Sequence, residues 1–262
     1  MREIIAVINL KGGVGKSTTA AALASGCIKK GLKILSIDLD GQRSLSFLMR
    51  ANEQAPSILD VLLGKVSPAE AIQHTEQGDI IPASPTLAGA DVVITGKGKD
   101  YKLKEAIQSI KEEYDIVVLD LPPGLGVVTL NALTAASCAI IPAMTDILSV
   151  KGLDDINQLI GAIHGDNNPS LHIAGVLLTR YNTRSVLSRD LANVIQEAAM
   201  RIGTKVFDAK IREAVAAREA QAMTQDLFKY APKSKIVEDY LNFVDELLHD
   251  LRKNERKNSL RI

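Results

Sequence analysis

Tryptophan is absent from the 262 residues, and aromatic residues make up only 3% of them. A buried core must therefore be aliphatic. Two cysteines, Cys27 and Cys138, are too few for a disulfide framework. The four histidines, His74, His164, His172 and His249, lack metal-ligand spacing. Lysine plus arginine balance aspartate plus glutamate at 31 each, so no net field favours nucleic acid or membrane. Any such binding must come from a local patch. The apolar runs are strand-sized, which excludes a transmembrane helix. Residues 1–8 have no signal-peptide pattern, because their short apolar run leads straight into a glycine-rich loop. Together these absences fit a soluble protein of a reducing cytoplasm.

Hydrophobic residues supply 46% of the chain and charged residues 24%, as in an ordinary globular protein with a sizeable core. Short Val-, Ile- and Leu-rich runs predict strands near 3–8, 32–37, 79–82, 115–120, 138–142, 172–179 and 205–208. Helical patterning fills 17–30, 57–63, 101–113, 127–136, 151–164, 187–201 and 235–252. Little polar alternation within the strands argues for a sheet covered on both faces. The alternation of the two element types predicts an α/β fold: a mostly parallel twisted sheet with helices on both faces. No linker, repeat or low-complexity stretch divides residues 1–262, which read as one domain.

The chemistry concentrates in three places. Ile4–Ile8 runs into Asn9-Leu10-Lys11-Gly12-Gly13-Val14-Gly15-Lys16-Ser17-Thr18-Thr19, a phosphate-binding loop between a buried strand and a helix. Its glycines let backbone N–H groups close around phosphate. Lys16 brings charge to the β- and γ-phosphates, and the Ser17 hydroxyl suits Mg²⁺. The common G-x-x-x-x-G-K-[ST] spacing would put glycine where Leu10 stands, and Lys11 is an extra lysine. The second strand leaves through Asp38-Leu39-Asp40-Gly41-Gln42, at the sheet edge where open α/β folds bind ligands. Asp40 is a candidate for orienting an attacking water and Asp38 for support near the metal. Strand-end acids are also common turn residues, which is the plainer alternative for both. A further strand, Ile116–Leu119, ends on Asp120 ahead of Leu121-Pro122-Pro123-Gly124. Asp120 would hold Mg²⁺ through water, and the turn would lie near a terminal phosphate.

These three motifs together resemble the ParA/MinD (Soj-like) ATPases with a deviant Walker A motif, a branch of the P-loop NTPases. Leu87–Ala90, Gly175–Arg184 and Tyr230–Ser234 also look like partition ParA, so the resemblance spans nearly the whole chain. It implies ATP and Mg²⁺ as cofactors, with Lys11, Gly12, Gly13, Val14, Gly15, Lys16, Ser17 and Thr18 around the nucleotide. Ser17, Asp38 and Asp120 would be near the metal, and Lys11, Lys16 and Asp40 would serve hydrolysis. It implies an ATP-state homodimer in which Lys11 reaches the partner's phosphates. It also implies a ParB-like activating protein, slow intrinsic turnover and non-specific binding of nucleoid DNA in the cytoplasm. Arg184, Arg189, Arg212, Arg218, Lys229, Lys233 and Lys235 are the candidate DNA contacts. Departures exist. The family often reads Ile-Pro-x-Asn-Val near the adenine, where this chain has Ile211-Arg212-Glu213-Ala214-Val215. An arginine that the family uses for DNA aligns with Ala216. The family's Asp-Pro-Gln is Asp40-Gly41-Gln42. A MinD-like positioning ATPase on a membrane or protein scaffold is the alternative. The basic end at 253–262 lacks the sustained apolar face of a membrane helix and reads as a frayed tail. A small-molecule synthetase on the same fold would need a substrate pocket for which no residue set is evident.

Overall fold

The computed structural model describes residues 2–259. Seven strands, β1 (Glu3–Val7), β2 (Ile34–Asp38), β3 (Gln73–Thr75), β4 (Gly78–Ile81), β5 (Ile116–Asp120), β6 (Cys138–Met144) and β7 (His172–Thr179), form one sheet. Its order is β3-β4-β2-β5-β1-β6-β7. All neighbouring pairs are parallel except β3 with β4. The helices are α1 (Lys16–Lys29), α2 (Ser44–Leu48), α3 (Ile58–Leu62), α4 (Pro68–Ala71), α5 (Ala90–Val93) and α6 (Lys102–Gln108), followed by α7 (Val127–Ala135), α8 (Ile147–Asp166), α9 (Val186–Arg201), α10 (Val215–Ala222), α11 (Leu227–Tyr230) and α12 (Lys235–Ser259).

The strands explain their own burial. Ile34–Asp38 and Ile116–Asp120 are buried at every position, as parallel strands between two helical layers must be. One apolar layer joins Leu35, Ile37 and Leu119 to Leu103, Leu133, Leu153 and Ile195. The other joins Ile5, Val7 and Val118 to Leu23, Cys27, Phe243 and Leu247. The core is aliphatic, with Phe207 and Phe243 meeting edge to face at 5.0 Å. Both cysteines are buried and unpaired, and burial pushes the Cys27 thiol up to about 12, so it is inert packing.

Several element boundaries differ from the sequence reading. The polar strand β3 has no apolar run to announce it. The expected strand at 205–208 reduces to an isolated bridge between Val176 and Val206. The expected 101–113 helix breaks after Gln108 and resumes as a 3₁₀ turn, Lys111–Glu113. Helix α8 begins at Ile147 rather than 151, because Asp146 caps it by accepting from Ser149 N. Helix α12 runs past 252 to Ser259; Leu260–Ile262, the end of the basic tail, lie outside the described residues. Among the described residues no helix is long and apolar enough to cross a membrane.

The register does the positioning. Val7 pairs with Asp120, and Asp120 with Asp38. The phosphate loop after β1 therefore opens directly above two acids on neighbouring strand ends.

Candidate phosphate-binding site

Between β1 and α1 the chain turns through two left-handed glycines, Gly13 (φ 74°) and Gly15 (φ 89°). A side chain at either position would be strained. Gly15 caps α1 without any side chain, so the helix's first N–H groups are left to the loop's cavity. Asn9 anchors the loop's start: its Nδ2 donates to Pro142 O at 2.7 Å and its Oδ1 accepts from Lys11 N at 2.9 Å. A cleft of about 500 Å³ opens over the loop, lined by Gly12, Gly13, Gly15, Lys16, Ser17, Thr18 and Asp40, with Pro123 and Arg180 on its walls.

Lys16 is only 7% exposed. Its Nζ donates to Lys11 O at 3.3 Å. Burial lowers its pKa, while Asp120 and Asp40 pull the other way. Asp120 is fully buried, and neither of its carboxylate oxygens has a hydrogen-bond partner of normal geometry. Burial, reinforced by the Asp38 carboxyl, pushes its pKa well above the usual range, although Ser17 and Lys16 oppose the rise. Asp38 is equally buried but spoken for. Its Oδ1 accepts from Asp40 N at 3.0 Å, and its Oδ2 accepts from Ser46 N and Ser46 Oγ, both at 2.7 Å. Burial still pushes Asp38 up to about 6 against those bonds. Its oxygens brace the turn that carries Asp40. Asp40 uses Oδ1 to accept from Gln42 N at 2.9 Å, which fixes the carboxylate at the cleft wall. Among the described residues, no cluster of three or more His, Cys, Asp or Glu could hold a metal unaided.

Lys11 lies at the rim, its Nζ 2.5 Å from Asp146 Oδ2, with both side chains about a third exposed. Burial would raise the Asp146 pKa, but the bonds from Lys11 and Ser149 outweigh it and hold the carboxyl low. Ile147 and Leu148, directly after Asp146, and Leu125, Val186 and Leu187, in the loop before α7 and the first turn of α9, are each at least 60% exposed. Asp146 and Arg180 went unread in the sequence. Each sits at the carboxyl end of a strand, the same signal that picked out Asp38 and Asp120. Arg180 is left-handed at φ 49° without being glycine. It also lines a second crevice of about 140 Å³ with Gly15, Thr18, Ile211, Glu213 and Ala214. Gln221 closes that corner by donating to Thr18 Oγ1 at 2.7 Å. Gly41 has a reason of its own: a Cβ there would lie 3.0 Å from Ala88 N.

The candidate DNA cations are scattered. Arg184 and Arg189 flank the start of α9, Arg212 and Arg218 flank the start of α10, Lys229 lies in α11, and Lys233 and Lys235 lead into α12. Arg212 is committed, its Nε and one terminal nitrogen each 2.6 Å from the buried Asp239 carboxylate. Lys229 donates to Glu76 O at 2.8 Å, and Arg189 to Thr183 O at 3.4 Å. Arg184, Arg218, Lys233 and Lys235 are exposed and form no ion pair among the described residues.

Comparison with known proteins adds to this geometry. Residues 2–173 match the family model described as an AAA domain. The chain is 32% identical to the chromosome partitioning protein ParA of Caulobacter vibrioides strain NA1000, over 97% of each chain. It is 31% identical to the sporulation initiation inhibitor protein Soj of Bacillus subtilis, over 94% of this chain and 98% of that one. It superposes with a TM-score of 0.84 on the crystal structure of cobyrinic acid a,c-diamide synthase from Mycobacterium smegmatis with bound ADP and magnesium, at 33% identity and 97% coverage of both chains. A strand–glycine loop–helix over buried strand-end acids, matched by this likeness across almost the whole length, places the chain in the ParA/Soj family of partition ATPases.

Proposed function

We propose that the chain is an ATP-driven dimerising switch that holds DNA without sequence preference and is reset by a ParB-like partner. The observation that carries the nucleotide half is Asp120: a fully buried carboxyl, beside Ser17 and Lys16, whose oxygens lack any hydrogen bond of normal geometry. An orphaned buried acid is costly unless something charged completes it. One carboxylate and one hydroxyl, with phosphates and waters for the rest, is the donor set that Mg²⁺ favours. Ser17 and Asp120 would hold the ion, which when bound offsets phosphate charge. The loop N–H groups and Lys16 bind the phosphates. Asp40 accepts a hydrogen bond from the water that attacks the γ-phosphorus, and the bond to the bridging oxygen breaks to give ADP and phosphate.

Lys11, on the rim of the cleft, would reach the phosphates of a second copy, and the exposed apolar side chains beside it would be covered in that dimer. Dimerisation doubles any cationic patch, which lets a chain of zero net charge hold DNA only in its ATP state. A long-lived ATP state requires slow intrinsic hydrolysis, accelerated by the partner. Residues 1–262 act as one ATPase domain in this reading.

Co-sedimentation with DNA and with liposomes, each with ATP or ADP across a salt series, tests the proposal. ATP-dependent, salt-sensitive DNA pelleting is expected. Binding that ignores the nucleotide would overturn the switch, and ATP-dependent liposome pelleting would favour the positioning alternative. Rapid ATP turnover only with a small amide-forming substrate would favour a synthase.

A further inference from the structure

The segment from Ala83 to Val93 contacts both the turn that follows β2 and the start of α7, which follows β5. Ala83 N donates to Ser46 Oγ at 3.0 Å, and the same hydroxyl donates to Asp38. Ala88 lies so close to Gly41, in the turn after Asp40, that a Cβ there would meet its backbone nitrogen at 3.0 Å. Asp91, in α5, accepts from Val127 N at 2.6 Å. Its other oxygen lies 2.7 Å from where a Cβ on Gly126 would stand.

That last approach has a local reason. Helix α7 starts after Gly126, which offers no capping side chain, and no acid lies in its first turn. The missing acceptor comes instead from a different segment of the chain, and an acid there also suits the positive end of the helix dipole. The turn ahead of α7 is Leu121–Gly126, whose Pro123 lines the phosphate cleft. Its other hydrogen bonds run to β1, where Leu121 N donates to Val7 O at 3.3 Å, and to α7 itself, where Thr129 Oγ1 donates to Gly124 O at 2.6 Å and Leu130 N to Gly126 O at 3.1 Å. Asp91 is thus the only link from the Asp38/Asp40 side of the cleft to this turn among the described hydrogen bonds of residues 121–127.

We propose that Asp91 is a positioning residue for ATP hydrolysis: through Val127 N it holds the 121–126 turn in register with the Asp40 turn across the phosphate cleft. It touches no substrate. It rests on the ATPase reading above, and it predicts an effect on the hydrolytic step rather than on nucleotide binding.

The test uses the full chain. Phosphate release and binding of a fluorescent ATP analogue are measured for the wild type, Asp91→Ala, Asp91→Asn, Gly126→Ala and the double variant Asp91→Ala/Gly126→Ala. Asp91→Ala should lower kcat about 10- to 100-fold, the scale of a small misplacement of reacting groups. Analogue affinity should stay within about twofold, the pattern of an interaction that acts only in the hydrolytic step. Asp91→Asn keeps a carbonyl oxygen for Val127 N and should restore most of the rate. Gly126→Ala, whose new methyl displaces Asp91, should mimic Asp91→Ala, and the double variant should be no worse than either single change. Thermal melting shows whether each variant is folded, and the glycine variant tests the link if Asp91→Ala is not. Unchanged kcat in a folded Asp91→Ala, or equal losses in kcat and affinity, overturns the proposal. So do additive losses in the double variant. A wild type that neither binds nor hydrolyses ATP fails at the first measurement and overturns the ATPase reading itself.

Discussion

The carboxyl ends of β2 and β5 and the surface around α10–α12 both concentrate charge, but they treat it in opposite ways. At the strand ends Asp120 is buried without a hydrogen bond of normal geometry, and Lys16 is buried against only partly compensating acids. Around α12 the more buried charges have found one another. Arg212 clasps Asp239, and Lys205 lies 2.5 Å from Glu246 and 2.7 Å from Asp250. Unsatisfied charge in a cleft marks where a ligand must come, since nothing else offsets the desolvation. Satisfied charge on a surface marks structure first.

The largest effects that would break this contrast lie in the cleft. Lys16→Ala or Asp120→Ala should reduce phosphate release about 100- to 1,000-fold, the loss typical of removing a preorganised electrostatic group. Lys233→Ala and Lys235→Ala should leave basal hydrolysis within about twofold, since neither touches the cleft. Equal losses on both sides would erase the distinction. Asp40→Ala should slow hydrolysis roughly 100-fold yet preserve an ATP-dependent dimer in light scattering; a variant that hydrolyses at the normal rate would remove Asp40 from its assigned role.

The cationic side gives smaller effects. Arg184→Ala and Arg218→Ala should each weaken ATP-dependent DNA binding and lower the salt slope by about 1 for each phosphate that the side chain had neutralised. Arg212→Ala should instead act on folding. Asp239 is 8% exposed and would be left unpaired, so Tm should drop by roughly 2–4 °C while the salt slope stays unchanged. A changed slope with an unchanged Tm would make Arg212 a DNA-binding residue after all.

The smallest effect sharpens the contrast from the stability side. The Asp120 carboxyl has its pKa raised in the fold, so the native state holds a proton that the unfolded chain releases. The group therefore stabilises the nucleotide-free protein most at acid pH, and this contribution falls away as pH rises through the folded value. Asp120→Asn keeps the shape and removes the charge. It should raise Tm near neutral pH by roughly 2–4 °C, with the gain shrinking on acidification, while losing nucleotide-dependent activity. A melting curve with no gain at neutral pH would mean that Asp120 is compensated in the free protein.

The cleft was the more legible region for the same reason. Strand, glycine loop and helix follow one another in sequence, and buried parallel strands announce themselves as apolar runs that stop at an acid. Residues 4–8 and 116–120 therefore gave both the sheet and the site. Asp146 and Arg180 lie at strand ends too, but their roles depend on neighbours that are distant along the chain. The Gln73–Thr75 strand was hidden because an edge strand needs no apolar pattern. Arg212 looked like a free cation because its partner Asp239 lies on a different element. The reach of Asp91 to α7 is likewise invisible until the fold closes.

In the proposed dimer, the ion pair between Lys11 and Asp146 would set the thermodynamics of assembly. Before any phosphate arrives, the rim lysine already has an anion at hydrogen-bond distance. Joining two subunits then swaps one partner for another instead of creating an ion pair from solvated charges, so the driving force is a difference between two comparable attractions. A dimer built on such an exchange would be held mainly while the nucleotide keeps its full charge. It would come apart when hydrolysis tips the comparison back, making the proposed association readily reversible within each ATP cycle.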